Sequence, residues 1–374
     1  MAASGRPPFR ADHVGSLLHP KSVADARAKK EKGEITPAQL RAVEDAAIKD
    51  AVKLQEATGM QAVTDGEFRR AFWHVDFLAG FSGITATQSN YAVSFKGEGG
   101  ESAKTRSMMI VDGKVRRTHP IQLDDFKYLK GQTGRTAKVC IPSPTYLHFR
   151  GGRKIVDQKA YPTMEEFWSD LIAAYQAEIA ALADAGCTYL QLDDVSVSYL
   201  CDPSIRAHLK ADGLDPEKLP AEYARVNSAL IARRPKSMAV TMHTCRGNFQ
   251  SMWMAEGGYD AVAEAVFNGT DVDGFFLEYD TDRAGGFEPL RFVPKTKKVV
   301  LGLVSSKKPE LESKDALKRR IDLAAKFLPL ENLCLSPQCG FASTHHGNRL
   351  TEDTERRKLA LVVEVATEVW GSAN

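Results

Sequence analysis

Residues 164–194 read MEEFWSDLIAAYQAEIAALADAGCTYLQLDD and show the unit from which the chain is built. Met164 to Ala185 predicts a long helix, which a glycine ends. The short apolar run Cys187 to Leu192 follows and predicts a strand. That run ends in two carboxylates, Asp193 and Asp194. We therefore predict a helix, a buried strand and a polar strand end, in that order.

The same unit recurs along the sequence. Pro37 to Thr58 predicts another helix, because Thr36 can cap it, proline suits its first turn and Gly59 can end it. Near-continuous apolar runs between such helices are typical of parallel strands covered on both faces. The runs that end in polar or glycine residues are 60–64, 137–141, 187–192, 237–242, 272–277, 298–304 and 332–335.

An opening strand near Phe9 to His13 brings the number of predicted strands to eight, which indicates an α/β protein with a (β/α)8 TIM barrel. A doubly wound open sheet is the alternative. The nucleotide-binding form of that sheet has G-x-G-x-x-G or G-x-x-x-x-G-K-[ST] after a strand, and neither motif occurs here. Active sites of barrels lie at the carboxyl ends of the strands, where this chain carries its polar residues.

One segment does not follow the alternation. Residues 83–135 contain several glycines and the apolar run 107–111, and we interpret them as an inserted β-hairpin arm over the barrel mouth. A surface excursion without a role is the alternative. The sequence thus predicts a single barrel domain over residues 1–374 with an insertion at about 83–135.

Composition excludes several classes of protein. Of the 374 residues, 43% are hydrophobic and 26% are charged, as in ordinary globular proteins. The net charge of +2 gives no electrostatic reason to expect a nucleic acid or a membrane surface as partner. No apolar stretch approaches the ~20 residues of a membrane span, and Met1 to Arg10 lack the apolar core of a signal peptide.

Cysteine usage indicates a reducing compartment. Six cysteines in a chain of this length do not form a disulfide framework, so we expect a cytoplasmic protein. Cys140, Cys187 and Cys334 lie inside apolar runs and are expected in the core. The oligomeric state stays open, with a homo-oligomer as one alternative.

The strongest cluster of chemically active residues lies at the ends of predicted strands five, six and eight. It comprises His243, Cys245, Glu278 and Cys339. Imidazole, thiolate and carboxylate are the ligands that Zn²⁺ takes in tetrahedral sites. Because these strand ends converge at one barrel mouth, zinc binding is one interpretation. The other is that these are ordinary buried side chains.

A second, acidic group consists of Glu67 after strand two and Asp193 with Asp194 after strand four. Carboxylates at a barrel mouth can bind an ammonium group, orient a histidine or act in acid–base chemistry. Salt bridges to nearby arginines such as Arg69 or Arg70 are the alternative. The backbone and hydroxyl of residues 14–16, Val-Gly-Ser, could hold a carboxylate or a phosphate.

Together these segments resemble the C-terminal catalytic barrel of cobalamin-independent methionine synthase, and in particular its short, single-barrel relatives. The resemblance covers about residues 9–370. The segments that carry it are HVGS at 13–16, DGEFR at 65–69, QLDD at 191–194, HTC at 243–245, LE at 277–278 with Arg283 soon after, and QCG at 338–340.

The resemblance implies a zinc-dependent transfer of a methyl group to the thiol of homocysteine or a similar acceptor. Asp193 and Lys307 would be its catalytic residues. The implied zinc ligands are His243, Cys245, Glu278 and Cys339. The implied substrate-binding residues are Gly15 and Ser16 for the carboxylate of the amino acid, with Glu67 and Asp193 for its ammonium group.

Three departures from the family leave the methyl donor open. The chain lacks the N-terminal half that helps full-length enzymes bind a folate polyglutamate. Lys307 stands where the family has a proton-shuttling histidine, and Phe149 stands in place of a tryptophan after strand three. The donor could therefore be methyl-folate, methylcobalamin held by another protein, or a small methylated compound.

Other functions remain compatible with the same residues. One is a zinc-dependent alkyltransferase in which a thiol of the coenzyme M type opens an epoxide. Such a thiol has a sulfonate and no ammonium group, so Glu67 and Asp193 favour the amino acid. Another is a zinc-containing barrel that binds a metabolite without catalysis. A metal-free, decarboxylase-like barrel would leave His243 and the two cysteines of the cluster unused.

Overall fold

Helices and strands alternate along the chain as the sequence predicts. A computed structural model describes residues 5–374, apart from the side chains of residues 89–93. The strands are β1 (Ala62–Val63), β2 (Ser82–Lys96), β3 (Ser102–Arg116), β4 (Thr136–Pro142), β5 (Tyr189–Asp194), β6 (Ala239–Thr244), β7 (Gly274–Glu278), β8 (Lys298–Val304) and β9 (Leu333–Pro337). The helices are α1 (Lys21–Glu31), α2 (Pro37–Thr58), α3 (Val75–Leu78), α4 (Leu123–Gln132), α5 (Thr145–Phe149), α6 (Met164–Asp184), α7 (Ser196–Tyr199), α8 (Pro203–Ala211), α9 (Leu219–Ile231), α10 (Ala263–Gly269), α11 (Lys314–Ala324) and α12 (Glu352–Trp370).

The predicted helix ends are confirmed by their caps. Thr36 and Gln39 form a reciprocal capping box at the start of α2, with Pro37 in its first turn. Gly59 closes the same helix in the left-handed conformation, at φ 96°. Thr163 caps α6 by accepting from the Glu166 backbone N–H. Local sequence therefore fixes where these helices begin and end.

The main sheet has seven strands, all parallel, in the order β1-β4-β5-β6-β7-β8-β9. α-Helices lie between the other consecutive strands, whereas only two short 3-10 segments, Asp282–Ala284 and Glu288–Phe292, lie between β7 and β8. The strands β5 to β9 are almost entirely buried. This confirms the α/β class and the parallel strands that the sequence indicates. The opening strand predicted near Phe9 to His13 is wrong, because only Ala11 makes an isolated parallel bridge, to Leu335. Seven paired strands therefore stand where eight were expected.

The reason lies in Asp12. Its carboxylate accepts hydrogen bonds from the backbone N–H groups of Phe9 and His13, at 3.2 and 2.8 Å. A backbone N–H that donates to a local side chain is not available to a sheet ladder. Residues 9–13 therefore run beside β9 without joining it as a strand.

A buried ion pair holds this N-terminal segment against the sheet. The Lys138 ammonium on β4 lies 3.3 Å from the Asp12 carboxylate and donates to the His13 carbonyl at 2.6 Å. The Tyr189 hydroxyl on β5 donates to the other oxygen of Asp12 at 2.8 Å. Both members of the pair are fully buried. The segment that leads to Gly15 and Ser16 is thus attached to the interior of the sheet.

Strands β2 and β3 form the antiparallel hairpin arm that the sequence predicts. Its tip contacts three strand-end loops: Lys96 exchanges two backbone hydrogen bonds with Trp253, while Glu98 and Glu101 pair with Lys308 and Arg349. The predicted range 83–135 also contains helix α4, which packs on β4. The arm itself is therefore shorter than the range, whereas the division into one domain with an insertion stays a prediction.

Two further observations bear on the expected class of protein. All six cysteines are free thiols. Across residues 5–374, no helix combines the length and the apolar composition that crossing a bilayer requires.

The Asp12–Lys138 pair should stabilise the fold far more than a surface pair does. Asp12→Ala leaves the Lys138 ammonium buried without a counter-charge, and we expect it to lower the free energy of unfolding by about 3–5 kcal/mol. The matched control is Asp25→Ala, which breaks the exposed Lys21–Asp25 pair and should cost about 0.5 kcal/mol or less. Urea-induced unfolding measures both, and equal costs would contradict the prediction.

Candidate functional site

The carboxyl ends of β6, β7 and β9 bring four metal-binding side chains together. His243 is the penultimate residue of β6, with Cys245 just beyond that strand; Glu278 ends β7, and Cys339 follows β9. One ligand atom from each residue lies within 4.8 Å of the others. The two sulfur atoms are 3.4 Å apart, although 94 residues separate them in sequence. All four residues are buried.

The surroundings of these atoms fit a cation. Neither ring nitrogen of His243 has a hydrogen-bond partner among the described residues, and the same holds for Oε2 of Glu278. The other oxygen of Glu278 accepts from the Arg246 backbone N–H at 2.8 Å. Buried polar atoms without partners cost free energy, so native proteins rarely leave them so. One imidazole, two thiols and one carboxylate are a donor set that suits tetrahedral Zn²⁺.

The two cysteines of the cluster differ strongly in pKa. The hydrogen bond between the two thiols lowers the pKa of Cys339 well below its ordinary value and raises that of Cys245 well above it. Burial raises the pKa of the Glu278 carboxyl. The 3.4 Å contact between the two sulfur atoms thus favours the thiolate form at Cys339. A cation that displaced the proton of Cys245 would meet one thiolate already formed.

A second group, of Glu67, Cys140 and Asp193, also lies with its ligand atoms within 4.8 Å of one another. Glu67 forms an ion pair with Arg70, as the salt-bridge alternative predicted. Asp193 accepts from the Gln191 side-chain amide at 2.7 Å, and burial raises its pKa. The charge of Arg70 also lowers the pKa of Asp193, so this arginine offsets part of the charge of both carboxylates.

Asp193 and its neighbour differ in environment. The carboxylate of Asp194 accepts from the Thr145 hydroxyl at 2.6 Å and from the Val197 backbone N–H at 2.8 Å. Asp194 is fully buried, and its bonds join the end of β5 to helices α5 and α7. Asp193 lines the pocket that also contains His243 and the two cysteines of the cluster. Asp194 also lines this pocket, but both of its carboxylate oxygens are already engaged, so Asp193 is the acid left to contact a ligand.

Gly15 has no side chain, and this leaves space for the side chain of Glu67. Its φ is +138°, and a Cβ there would lie 2.6 Å from both the Glu67 carboxylate and the Cys140 sulfur. Ser16 lines the pocket, and its hydroxyl oxygen accepts from the Ala342 backbone N–H at 3.3 Å. Gly15 therefore lies behind Glu67, whereas Ser16 faces the ligand space. Cys140, expected in the core, instead touches this acidic group.

Lys307 occupies a different place from the other predicted site residues. It is only 7% exposed, and its ammonium has no hydrogen-bond partner among the residues described. It lines a separate chamber beneath the hairpin tip, whereas Ser16, Glu67 and Asp193 line the pocket of the cluster. The charge of Lys307 nevertheless reaches the cluster, because it lowers the pKa of Glu278 and of the two cysteines. Asp193 and Lys307 thus line different cavities, and both act on the cluster.

Sequence reasoning missed an aromatic wall of the pocket. Trp73 and His74 follow the Glu67 segment, and their rings lie 5.2 and 4.6 Å from the ring of Tyr146. Burial lowers the pKa of His74 to about 3, so its ring is neutral. The pair Trp73-His74 soon after Glu67 was the available signal. Phe149, expected at the mouth, is buried against Tyr199 instead, one turn beyond Tyr146.

Parallel strands with a thiol–imidazole–carboxylate cluster at their carboxyl ends define a TIM-barrel-like α/β protein with a metal-competent pocket. Residues 9–368 match the family model for the catalytic domain of cobalamin-independent synthase, and the chain belongs to that family. The uncharacterised Bacillus subtilis protein YxjH is 48% identical over 366 residues, 97% of this chain and 95% of YxjH. These matches confirm the family that the sequence motifs resemble.

Two more comparisons extend the picture. A solved structure from Listeria monocytogenes, of a candidate vitamin-B12-independent methionine synthase, is 38% identical with a TM-score of 0.78, and the match covers 99% of this chain and 100% of that one. The 5-methyltetrahydropteroyltriglutamate–homocysteine methyltransferase of Bacillus velezensis is 23% identical over 340 residues, or 90% of this chain. The chain spans 40% of the length of that relative.

We expect Gly15→Ala to disturb the pocket through Glu67. The added Cβ meets two side chains in a backbone conformation that alanine disfavours, so the free energy of unfolding should fall by about 1–3 kcal/mol. Gly131→Ala is the control, because nothing lies within 4 Å of that Cβ and the site is helical; it should change stability by about 1 kcal/mol or less. Adding Cys140→Ala should restore part of the loss. If the double variant recovers no stability, the strain arises from contacts other than that with Cys140.

Proposed function

We propose that the protein transfers a methyl group to the thiol of homocysteine or a similar amino acid, with Zn²⁺ as cofactor. The observation that carries this proposal is the adjacency of two groups in one pocket. The buried cluster of His243, Cys245, Glu278 and Cys339 lies beside the carboxylate of Asp193, which is the strand neighbour of His243. Membership of the family supports the same reaction.

The cluster supplies the place for a Lewis acid. Bound there, Zn²⁺ would lower the pKa of a thiol, which is mostly protonated near neutral pH when free. The chain itself excludes water from this place, since all four side chains are buried. In the transfer, the acceptor thiol gives up its proton, its sulfur bonds to the methyl carbon, and the donor keeps the electron pair of the broken bond.

The acidic group and Ser16 would orient the acceptor. The Asp193 carboxylate attracts the ammonium group of an amino acid, and Glu67 shares its own charge between that group and Arg70. The Ser16 hydroxyl and nearby backbone would bind the carboxylate. A fixed amino-acid group at one end of the pocket positions a side-chain thiol at the other end, which is how binding geometry accelerates a transfer.

The aromatic wall would face the methyl donor. Trp73 and Tyr146 offer ring surfaces, and the neutral His74 between them has no hydrogen-bond partner in the described part of the chain. Phe95 of the hairpin arm also lines this pocket, so the arm forms part of the same enclosure. Such a wall suits a planar methylated donor such as methyl-folate. The role of Lys307 as a proton donor stays a prediction.

A metabolite-binding barrel without catalysis is the second candidate, because four protein ligands can close a structural zinc site. An epoxide-opening alkyltransferase with a sulfonate thiol is less well supported. Its acceptor has no ammonium group, and Asp193 would then face an anion. Which function holds depends on whether a thiol enters the metal site and which thiol binds.

We expect protein purified without chelator to contain about one zinc per chain. Cys245→Ser and Cys339→Ser should lose it, whereas Cys334→Ser, which alters a buried cysteine of β9 outside the cluster, should retain it. Elemental analysis gives the content. Absorption at the zinc K-edge should show one additional sulfur after L-homocysteine is added. Zinc with an unchanged shell would favour the binding protein, and absent zinc would end the proposal.

Asp193→Asn should separate acceptor binding from metal binding. Loss of the charge facing the ammonium group should weaken L-homocysteine by about tenfold or more, while zinc content stays the same. The control is Cys339→Ser, which should have the opposite primary effect, a loss of zinc. Calorimetry with L-homocysteine measures the affinity. Unchanged affinity in Asp193→Asn would remove the amino-acid acceptor from the proposal.

A further inference from the structure

A second cavity lies under the tip of the hairpin arm, apart from the pocket described above. It measures about 860 Å³ and is bounded by the hairpin tip and by the loops that follow β6, β7 and β8. Two ion pairs, Glu98 with Lys308 and Glu101 with Arg349, join the tip to its rim. We call this cavity the hairpin chamber. The proposed methyl transfer involves this cavity only through Lys307, whose role as a proton donor stays a prediction.

Three buried donor groups in the wall of the hairpin chamber have no partners. They are the ammonium of Lys307, Nε of Arg283 and the hydroxyl of Thr281, and none forms a hydrogen bond with any described residue. Lys307 is only 7% exposed, and the side chain of Arg283 is 11% exposed. Buried donors left unpaired are costly, and an ammonium is the costliest of them.

The acids around the hairpin chamber are already engaged or lie outside it. Asp280 accepts from Arg283 at 2.9 Å and from the Ser305 hydroxyl at 3.1 Å. Glu98 and Glu101 are held by the rim pairs. The remaining two acids, Asp282 and Glu310, are exposed to solvent. Glu278 of the metal cluster also faces this wall: its Oε2 lies 4.0 Å from the Arg283 guanidinium, and the charge of Lys307 lowers the pKa of its carboxyl. No described acid, however, forms an ion pair or a hydrogen bond with the Lys307 ammonium.

The geometry points to a binding site for a small oxyanion, such as a carboxylate, sulfonate or phosphate group, held by Lys307, Arg283 and Thr281. An ammonium, a guanidinium N–H and a hydroxyl are the donors that such groups accept in proteins. The Arg283 guanidinium also lies over the ring of Trp253, 4.8 Å from its centre, which fixes the guanidinium at the chamber wall. The site shares Lys307 with the proposed function, but anion binding itself requires neither the acceptor nor the methyl donor.

Calorimetric titration of the full chain with inorganic phosphate, and separately with acetate, tests the site without any acceptor or donor present. We expect saturable binding of at least one anion. Lys307→Met should weaken it by about tenfold or more, and Thr281→Val by several-fold. Lys308→Met is the control, because this exposed rim lysine pairs with Glu98 and should change affinity by about twofold or less.

Two readouts locate the anion and separate it from the metal cluster. Trp253 lines the hairpin chamber, so binding should change its fluorescence, and Trp253→Phe should abolish that change. Zinc content is measured in every variant. If the anion binds only at the metal, its affinity should change with zinc content and not with the Thr281→Val substitution. If phosphate binds more tightly than acetate, the site is assigned to a tetrahedral anion. If acetate binds more tightly, it is assigned to a carboxylate. No saturable binding of either, or equal binding in Lys307→Met, overturns the proposal.

Discussion

The parallel direction of the strands is the constraint on which the site depends. Adjacent strands from β4 to β9 pair in parallel, so their carboxyl ends meet at one edge of the sheet. Asp193 is the register partner of His243, and Glu278 ends the next strand. Side chains distant in sequence thereby become neighbours in a water-poor place. There, the imidazole of His243 and the free oxygen of Glu278 are costly to bury without a partner, unless a cation or a substrate joins them.

This edge is coupled to the interior of the sheet through the N-terminal segment. Asp12 is bound to Lys138 deep in the sheet, and three residues later Gly15 touches the Glu67 carboxylate. A shift of the buried pair would therefore move the segment that packs against Glu67. Glu67 itself has a positive φ of 60°, a conformation that costs free energy for a residue with a side chain. Packing around it, including the absent side chain of Gly15, keeps it there.

The hairpin arm gives the two cavities a common cover. Phe95 faces the pocket of the metal cluster, whereas Glu98 and Glu101 bound the hairpin chamber. The rim pairs are exposed and salt-screened, and they hold the tip less firmly than the buried strands hold the cluster.

Local sequence was sufficient to predict the helix ends at Thr36 and Gly59, the parallel strands and the polar residues at their carboxyl ends. Those features follow from capping and from hydrophobic runs, which act over a few residues. The 3.4 Å contact between Cys245 and Cys339, the pairing of Glu67 with Arg70 and the separation of Lys307 from Asp193 required the tertiary structure. So did the failure of residues 9–13 to form a strand, because the Asp12 carboxylate accepts from the N–H groups of Phe9 and His13 while buried against Lys138. Such outcomes depend on long-range packing and desolvation, which no local pattern in the sequence encodes.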